Sequence, residues 1–188
     1  MEATASRPDR SQLAAQIAAV ALLRGTFTLR SGRTSNYYLD KYLFSTRPEV
    51  LQPLAELFAI EIDAFQTQLG RRIDRLAGAE LGGIPLVTAA SLRTGLPCIF
   101  IRNQKKDYGT AKRLEGVLNP GEAVVIVEDV ATTGGQALEA AAVIRESGAV
   151  PLAIIATIDR QEGAREAIER AGILFAALFT KADLGINE

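Results

Sequence analysis

A chain of 188 residues, 48% hydrophobic and 23% charged, has the size and apolar content for one globular domain with a sizeable core and too little for two large ones. Its 21 Lys and Arg against 22 Asp and Glu leave a net charge of -1, which excludes a long-range pull toward nucleic acid. With no histidine, the Ser-His and Cys-His nucleophile pairs and His-ligated metals are excluded too, and any chemistry falls to carboxylates, Lys, Arg, Tyr, Thr and backbone.

The first twelve residues are polar and mixed in charge, and no apolar run is long enough to cross a bilayer, so a cytoplasmic protein with no membrane partner is expected. Asp9 or Ser11 can cap a first helix with Leu13, Ile17, Val20, Leu22 and Leu23 at helical spacing, stopped by Gly25. A hairpin follows: Phe27 and Leu29 lead into the turn Ser31-Gly32-Arg33, and Tyr37, Tyr38 and Leu39 lead out. Arg47 and Pro48 start a second helix with Leu51, Leu54, Leu57, Phe58 and Ile62 on one face, running toward Gly70.

From there the pattern alternates strand, loop and helix. Strands are predicted at 75–78, 98–101, 123–127, 152–158 and 173–179, and helices from Gly82-Gly83 to near Gly95, from the loop after Asp129 to Gly148, and over 162–170. Residues 103–118 are polar, rich in Lys and Gly, and read as a loop. Cys98, the single cysteine, permits no internal disulfide and reads as a buried, inert thiol. Apolar strands without polar alternation, separated by helices, predict a doubly wound α/β fold with a mostly parallel sheet flanked by helices. Ligands then bind beyond the carboxyl ends of the strands, at the loops after Gly78, Arg102, Val127 and Ile158.

One stretch concentrates the chemistry. The apolar run 123–127 ends on Glu128 and Asp129, and Val130, Ala131, Thr132, Thr133, Gly134, Gly135 and Gln136 then turn into a helix. A hydroxyl and glycine loop at a helix start offers backbone N–H groups to a phosphate. Two carboxylates beside it would repel that phosphate, unless they serve ribose hydroxyls or a metal ion. The Gly-Lys-Ser/Thr ending of a Walker A loop and the G-x-G-x-x-G fingerprint are both absent.

Residues 127–135, VEDVATTGG, resemble the 5-phosphoribosyl-1-pyrophosphate motif of type I phosphoribosyltransferases. The resemblance implies that the two acids hold the ribose 2′ and 3′ hydroxyls and that residues 130–136 cradle the 5′-phosphate. Residues 102–109, RNQKKDYG, are similar to the catalytic loop of the family's orotate branch, with Arg102, Lys106, Tyr108 and Gly109 matching. Asn103 departs from the pattern, standing where the family has its first lysine, and Lys105 is an additional cation. In the family this loop reaches the pyrophosphate of a neighbouring subunit, which implies a homodimer.

Residues 159–163, DRQEG, resemble the branch's Asp-Arg-x-x-Gly, placing Arg160 on the orotate ring, and Thr132 is implied as a second orotate contact. A guanidinium fork suits a ligand bearing a carboxylate and ring carbonyls. Residues 29–38, LRSGRTSNYY, are similar to the N-terminal hood signature, so Arg30, Tyr37 and Tyr38 are expected to wall the base pocket; some members carry Lys at the position of Arg30. Leu81, Gly82 and Gly83 resemble the pyrophosphate loop, where some relatives carry Lys at the position of Gly82.

The resemblance implies a single phosphoribosyltransferase domain over 1–188, with 1–45 as N-terminal helix and hood. It also implies Mg²⁺ held mainly by substrate and water, and the transfer of phosphoribose from 5-phosphoribosyl-1-pyrophosphate to orotate in pyrimidine biosynthesis. Two alternatives stay open on the sequence: transfer to a purine or another base, and a non-enzymatic sensor of phosphoribosyl pyrophosphate.

Overall fold

The computed structural model describes residues 7–28, 32, 34–103 and 113–186. Asp9 caps α1 (Arg10–Ala21), accepting the N–H groups of Ser11 and Gln12. The helix stops earlier than its apolar spacing suggested. Leu22 and Leu23 instead open β1 (Leu22–Thr28), which pairs antiparallel with β2 (Thr34–Leu39), and Gly25 lies inside the strand where the register slips between Arg24 and Phe27.

Asp40 caps a short helix, α2 (Lys41–Ser45), that the sequence pattern did not announce, and the fully buried Phe44 anchors it. α3 (Pro48–Leu69) runs between the predicted punctuation, proline in its first turn and Gly70 in the left-handed conformation at its end.

A six-stranded sheet carries the rest. β3 (Arg75–Ala79), β4 (Cys98–Ile101), β6 (Ala123–Ala131), β7 (Val150–Asp159) and β8 (Leu174–Thr180) are parallel, and the two-residue β5 (Leu114–Glu115) pairs antiparallel with β4 at the edge. The strand order is β5-β4-β3-β6-β7-β8. α4 (Gly83–Thr94), α5 (Gly135–Glu146) and α6 (Ala164–Arg170) connect the strands.

Two hydrophobic cores form, one on each face. Leu13 and Ile17 of α1, Leu54 and Phe58 of α3 and Leu86 of α4 pack with Leu76, Val125 and Ile155 of the sheet. Ala140 and Ile144 of α5 and Ile168 of α6 pack with Val124, Ile126 and Ile154. Alternate residues of β6 therefore point into different cores, which is why its sequence shows no polar alternation. No described helix is long and apolar enough to cross a membrane.

Two further expectations change. β5 forms inside the stretch read as loop, because its backbone completes the open edge of β4. Cys98 is half-buried rather than fully enclosed.

Candidate active site

The order in which strands are added reverses between the parallel neighbours β3 and β6. The chain passes from β3 outward to β4 on one side and from β6 outward to β7 on the other, which opens a crevice beyond the carboxyl ends of β3 and β6. Small residues let the walls of this crevice close up. A Cβ at Gly78 would stand 2.6 Å from the Gly83 carbonyl oxygen, so the start of α4 lies directly on β3.

The two acids sit on this crevice, but in the strand rather than in the loop after it. β6 continues four residues past Val127, with Glu128 opposite Ala156, Val130 opposite Ile158 and Ala131 opposite Asp159. Glu128 and Asp129 are 3% and 1% exposed. Successive strand residues face opposite ways, yet both carboxylates are enclosed because neighbouring strands and the loop before α4 cover them.

Asp129 is fully partnered. Its Oδ1 accepts the Val130 N–H at 2.5 Å, and its Oδ2 pairs with Lys41 Nζ at 2.8 Å. Gly82 leans on the same carboxylate so closely that a Cβ there would stand 1.6 Å from Oδ2. Glu128 is held on one side only. Its Oε1 accepts the Asp129 N–H at 3.3 Å, while Oε2 is buried with no protein partner.

Burial, then the adjacent Asp129 charge, pushes the Glu128 carboxyl well above the usual carboxylate range, against the opposing pull of Lys41. Burial also disfavours the Lys41 ammonium, but the charge and hydrogen bond of Asp129, with Glu128 and Tyr42 behind them, outweigh it and raise its pKa above the ordinary 10.5.

Beyond Ala131 the chain turns through Thr132 and Thr133 to Gly134, which caps α5 in the left-handed conformation with no side-chain hydrogen bond. Neither threonine caps the helix, so the first N–H groups of α5 receive no side-chain oxygen from the cap residue. A Cβ at Gly134 would lie 3.3 Å from the Ala164 carbonyl oxygen, so this turn is also packed against α6.

Arg160 follows β7, and its backbone N–H donates to the Ala131 carbonyl at 2.9 Å. Its guanidinium donates to the Tyr37 hydroxyl at 3.1 Å, pairs with Glu162 at 2.9 Å and lies 5.6 Å from the centre of the Tyr37 ring. Nε of Arg160 is buried without a protein acceptor. Tyr38 takes the other face of β2, is 45% exposed, and packs on Phe27 with ring centres 5.7 Å apart. The two tyrosines therefore part, and the hairpin brings Tyr37 alone to Arg160.

At the end of β4, Arg102 exchanges hydrogen bonds with Arg113 across the root of the polar stretch and pairs loosely with Glu115 at 3.9 Å. Asn103 donates its backbone N–H to the Glu80 carboxylate at 2.7 Å, and its side-chain amide donates to the Glu80 carbonyl at 3.3 Å. Gln136 Nε2 donates to that same carbonyl at 3.1 Å, so Glu80 ties together the loops after β3, β4 and β6. Leu81 is 61% exposed at the rim. Arg30, Lys105, Lys106, Tyr108 and Gly109 lie outside the described residues.

No family model matches the chain. Known proteins do. The orotate phosphoribosyltransferase of Halobacterium salinarum is 46% identical over 167 residues, covering 89% of this chain and 91% of its own. That of Pyrococcus abyssi is 43% identical over 160 residues, covering 85% and 86%. The chain belongs to the orotate phosphoribosyltransferase family. The crystal structure of the Mycobacterium tuberculosis orotate phosphoribosyltransferase in complex with 5-phospho-alpha-D-ribosyl 1-diphosphate is 29% identical, covers 95% of this chain and 99% of its own, and superposes with a TM-score of 0.76.

As an orotate phosphoribosyltransferase, the chain gathers the described motif residues around one crevice. Glu128 and Asp129 line its floor, Thr132 to Gln136 one wall, Gly82 and Gly83 the other, and Arg160 with Tyr37 stand beside the floor strand. Sequence reasoning missed Lys41 and Glu80. Glu80 lies within the pyrophosphate-loop stretch and could have been singled out there. Lys41 carries no motif, and only the docking of α2 brings it to Asp129.

Proposed function

We infer that the chain catalyses transfer of the 5-phosphoribosyl group from 5-phosphoribosyl-1-pyrophosphate to orotate, giving orotidine 5′-monophosphate and pyrophosphate in pyrimidine biosynthesis. The observation that carries the choice of base is the Arg160 guanidinium, held by Tyr37 and Glu162 one residue beyond the strand that flanks the acid pair, with one buried N–H still without an acceptor. A ligand with a carboxylate and ring carbonyls supplies such acceptors.

The chain's own residues divide the work. The unpartnered Oε2 of Glu128 and the Asp129 carboxylate receive the ribose hydroxyls, and residues 130–136, with the helix start behind them, receive the 5′-phosphate. Arg160, Tyr37, Arg30 and Thr132 form the orotate side of the pocket, and Tyr38, on the other face of β2, stays outside it. Arg102, Lys105, Lys106 and Tyr108, with the backbone of 81–83, attend the departing diphosphate.

As the ring nitrogen of orotate bonds to the anomeric carbon, the bond from that carbon to the diphosphate oxygen breaks, the electron pair leaves with the diphosphate, and the proton of the ring nitrogen passes to the departing diphosphate or to water. Charge builds on the sugar ring and on the leaving group, so positioning and electrostatic stabilisation carry the rate without a histidine base.

Mg²⁺ fits this site as a substrate-borne ion. The two buried carboxylates, one oxygen of which is free, are hard oxygen donors, and among the described residues no group of three or more His, Cys, Asp or Glu is placed to cage a metal. Bound there, the ion would neutralise diphosphate charge. The reading extends to one catalytic domain over residues 1–188, with 1–45 as helix and hood, working in the cytoplasm as a homodimer that shares the loop around Lys106.

The direct test is product formation with Mg²⁺ and orotate, followed as loss of orotate absorbance, against hypoxanthine, adenine and uracil. Turnover with orotate alone is expected, and turnover with a purine in its place would overturn the assignment. In the same assay Lys106→Ala is expected to lower kcat by about tenfold, the worth of one charge-assisted contact of about 1.4 kcal/mol. An unchanged kcat would remove Lys106 from the diphosphate.

A further inference from the structure

The acid pair meets a cation that none of the recognised motifs contains. Lys41 is the first residue of α2, and its ammonium lies 2.8 Å from Asp129 Oδ2 while its side chain stays 30% exposed. Its backbone has little freedom. Asp40 donates its N–H to the Ala21 carbonyl at 2.8 Å and accepts the Tyr42 N–H at 3.1 Å, and Phe44 is buried one turn further on. The end of the side chain is therefore aimed by a fixed helix, with a flexible four-carbon stem between.

The geometry around it is uneven. Asp129 Oδ2 is shared between Lys41 and the surface of Gly82, whereas Glu128 Oε2, the other buried acid oxygen, has no partner. The stretch 79–83, Ala-Glu-Leu-Gly-Gly, brings no cation of its own to this junction, and Gly82 leaves no room for a side chain. An ammonium carries three donors, and one of them on Asp129 leaves two for other oxygens.

We propose that Lys41 is a further substrate-binding residue: its ammonium holds Asp129 in place in the free enzyme and, once the ribose hydroxyls reach the acid pair, turns its remaining N–H groups to the diphosphate of phosphoribosyl pyrophosphate. The proposal rests on the ribose role of Glu128 and Asp129 given above. It places on α2 the positive charge that the loop at 79–83 lacks. Lys41 thus acts on Asp129 as a positioning group and on the substrate as a direct contact.

The full-length chain is compared with Lys41→Met and Lys41→Arg. Calorimetry measures the Kd of phosphoribosyl pyrophosphate and of ribose 5-phosphate, and the orotate assay measures KM and kcat. For Lys41→Met the Kd and KM of phosphoribosyl pyrophosphate are expected to rise about tenfold, with kcat and the KM of orotate within about twofold and ribose 5-phosphate affected less. Lys41→Arg, which keeps the charge and the stem, is expected to recover most of the loss.

Unchanged phosphoribosyl pyrophosphate affinity in Lys41→Met overturns the proposal. So does an equal loss for both ligands, which would leave Lys41 with no diphosphate contact. If Lys41→Met does not fold, Lys41→Arg and Lys41→Gln carry the same comparison. Wild-type protein that binds phosphoribosyl pyrophosphate but does not turn over orotate would sink the orotate assignment while leaving the Lys41 comparison intact.

Discussion

Gly82→Ala is expected to lower kcat/KM by about 100-fold while shifting Tm by no more than a few degrees. The backbone at 82 has φ -71 and ψ -28, a helical conformation that alanine adopts without strain, so the cost is not conformational. It is steric, since the added methyl would stand 1.6 Å from Asp129 Oδ2. Either the carboxylate rotates or the loop lifts.

Rotation breaks the 2.8 Å pair with Lys41 and the 2.5 Å bond from Val130. Lifting is opposed by Gly83, whose carbonyl is packed on Gly78 and whose own Cβ position is 3.0 Å from the Val127 carbonyl oxygen. Both routes move the Asp129 oxygen proposed to hold a ribose hydroxyl by an ångström or more, and misplacement on that scale costs about two orders of magnitude. Steady-state kinetics with calorimetric binding of phosphoribosyl pyrophosphate checks this. Wild-type kcat/KM in the variant would mean that Asp129 can move without consequence.

Glu128→Gln is expected to stabilise the fold and to cost roughly 100-fold in kcat/KM, the loss of the carboxyl proposed to accept a ribose hydroxyl. Burial raises the folded pKa of Glu128 well above its ordinary 4.5. Below 4.5 the folded and unfolded chains both hold the proton, and no penalty arises. Between 4.5 and the raised folded value only the folded chain keeps it, so stability falls as pH rises, and the penalty is complete above the folded value.

Glutamine keeps the shape and carries no charge, so it removes that penalty. Calorimetric scans should show the variant and wild type together near pH 4 and the variant higher by about 3 °C at pH 8, the equivalent of roughly 1 kcal/mol for a chain of this size. A variant less stable than wild type at pH 8 would show that Oε2 is better solvated than its burial indicates. The expected gain would make the acid pair a case of stability given up for function.

Much of this architecture is legible in the sequence because local chemistry and tertiary packing agree. Pro48 and Gly70 bound α3 at its observed ends, and the unbroken apolar run of β4 falls at residues 98–101 as predicted. Where the two disagree, tertiary packing overrides the local pattern. Leu22 and Leu23 continue a helical period yet pair as strand, because the hairpin partner at Tyr38 and Leu39 fixes their backbone. Glu128 and Asp129 look like the end of a strand, but β7 continues alongside and keeps β6 extended to Ala131. Lys41 has no signature at all, since it meets Asp129 only through the packing of α2.

The backbone bond from Arg160 to Ala131 ties the end of β7 to the end of β6. β6 carries the acids proposed to hold the sugar and β7 leads into the guanidinium proposed to hold the base, and adjacent strands stand about 4.8 Å apart. Under those proposed roles the hydrogen-bond ladder is a ruler between the pocket for the base and the pocket for the sugar. Rewriting residues 160–163 to accept a different ring, with the ladder left untouched, would exchange one reading head for another without recalibrating the instrument that holds the ribose.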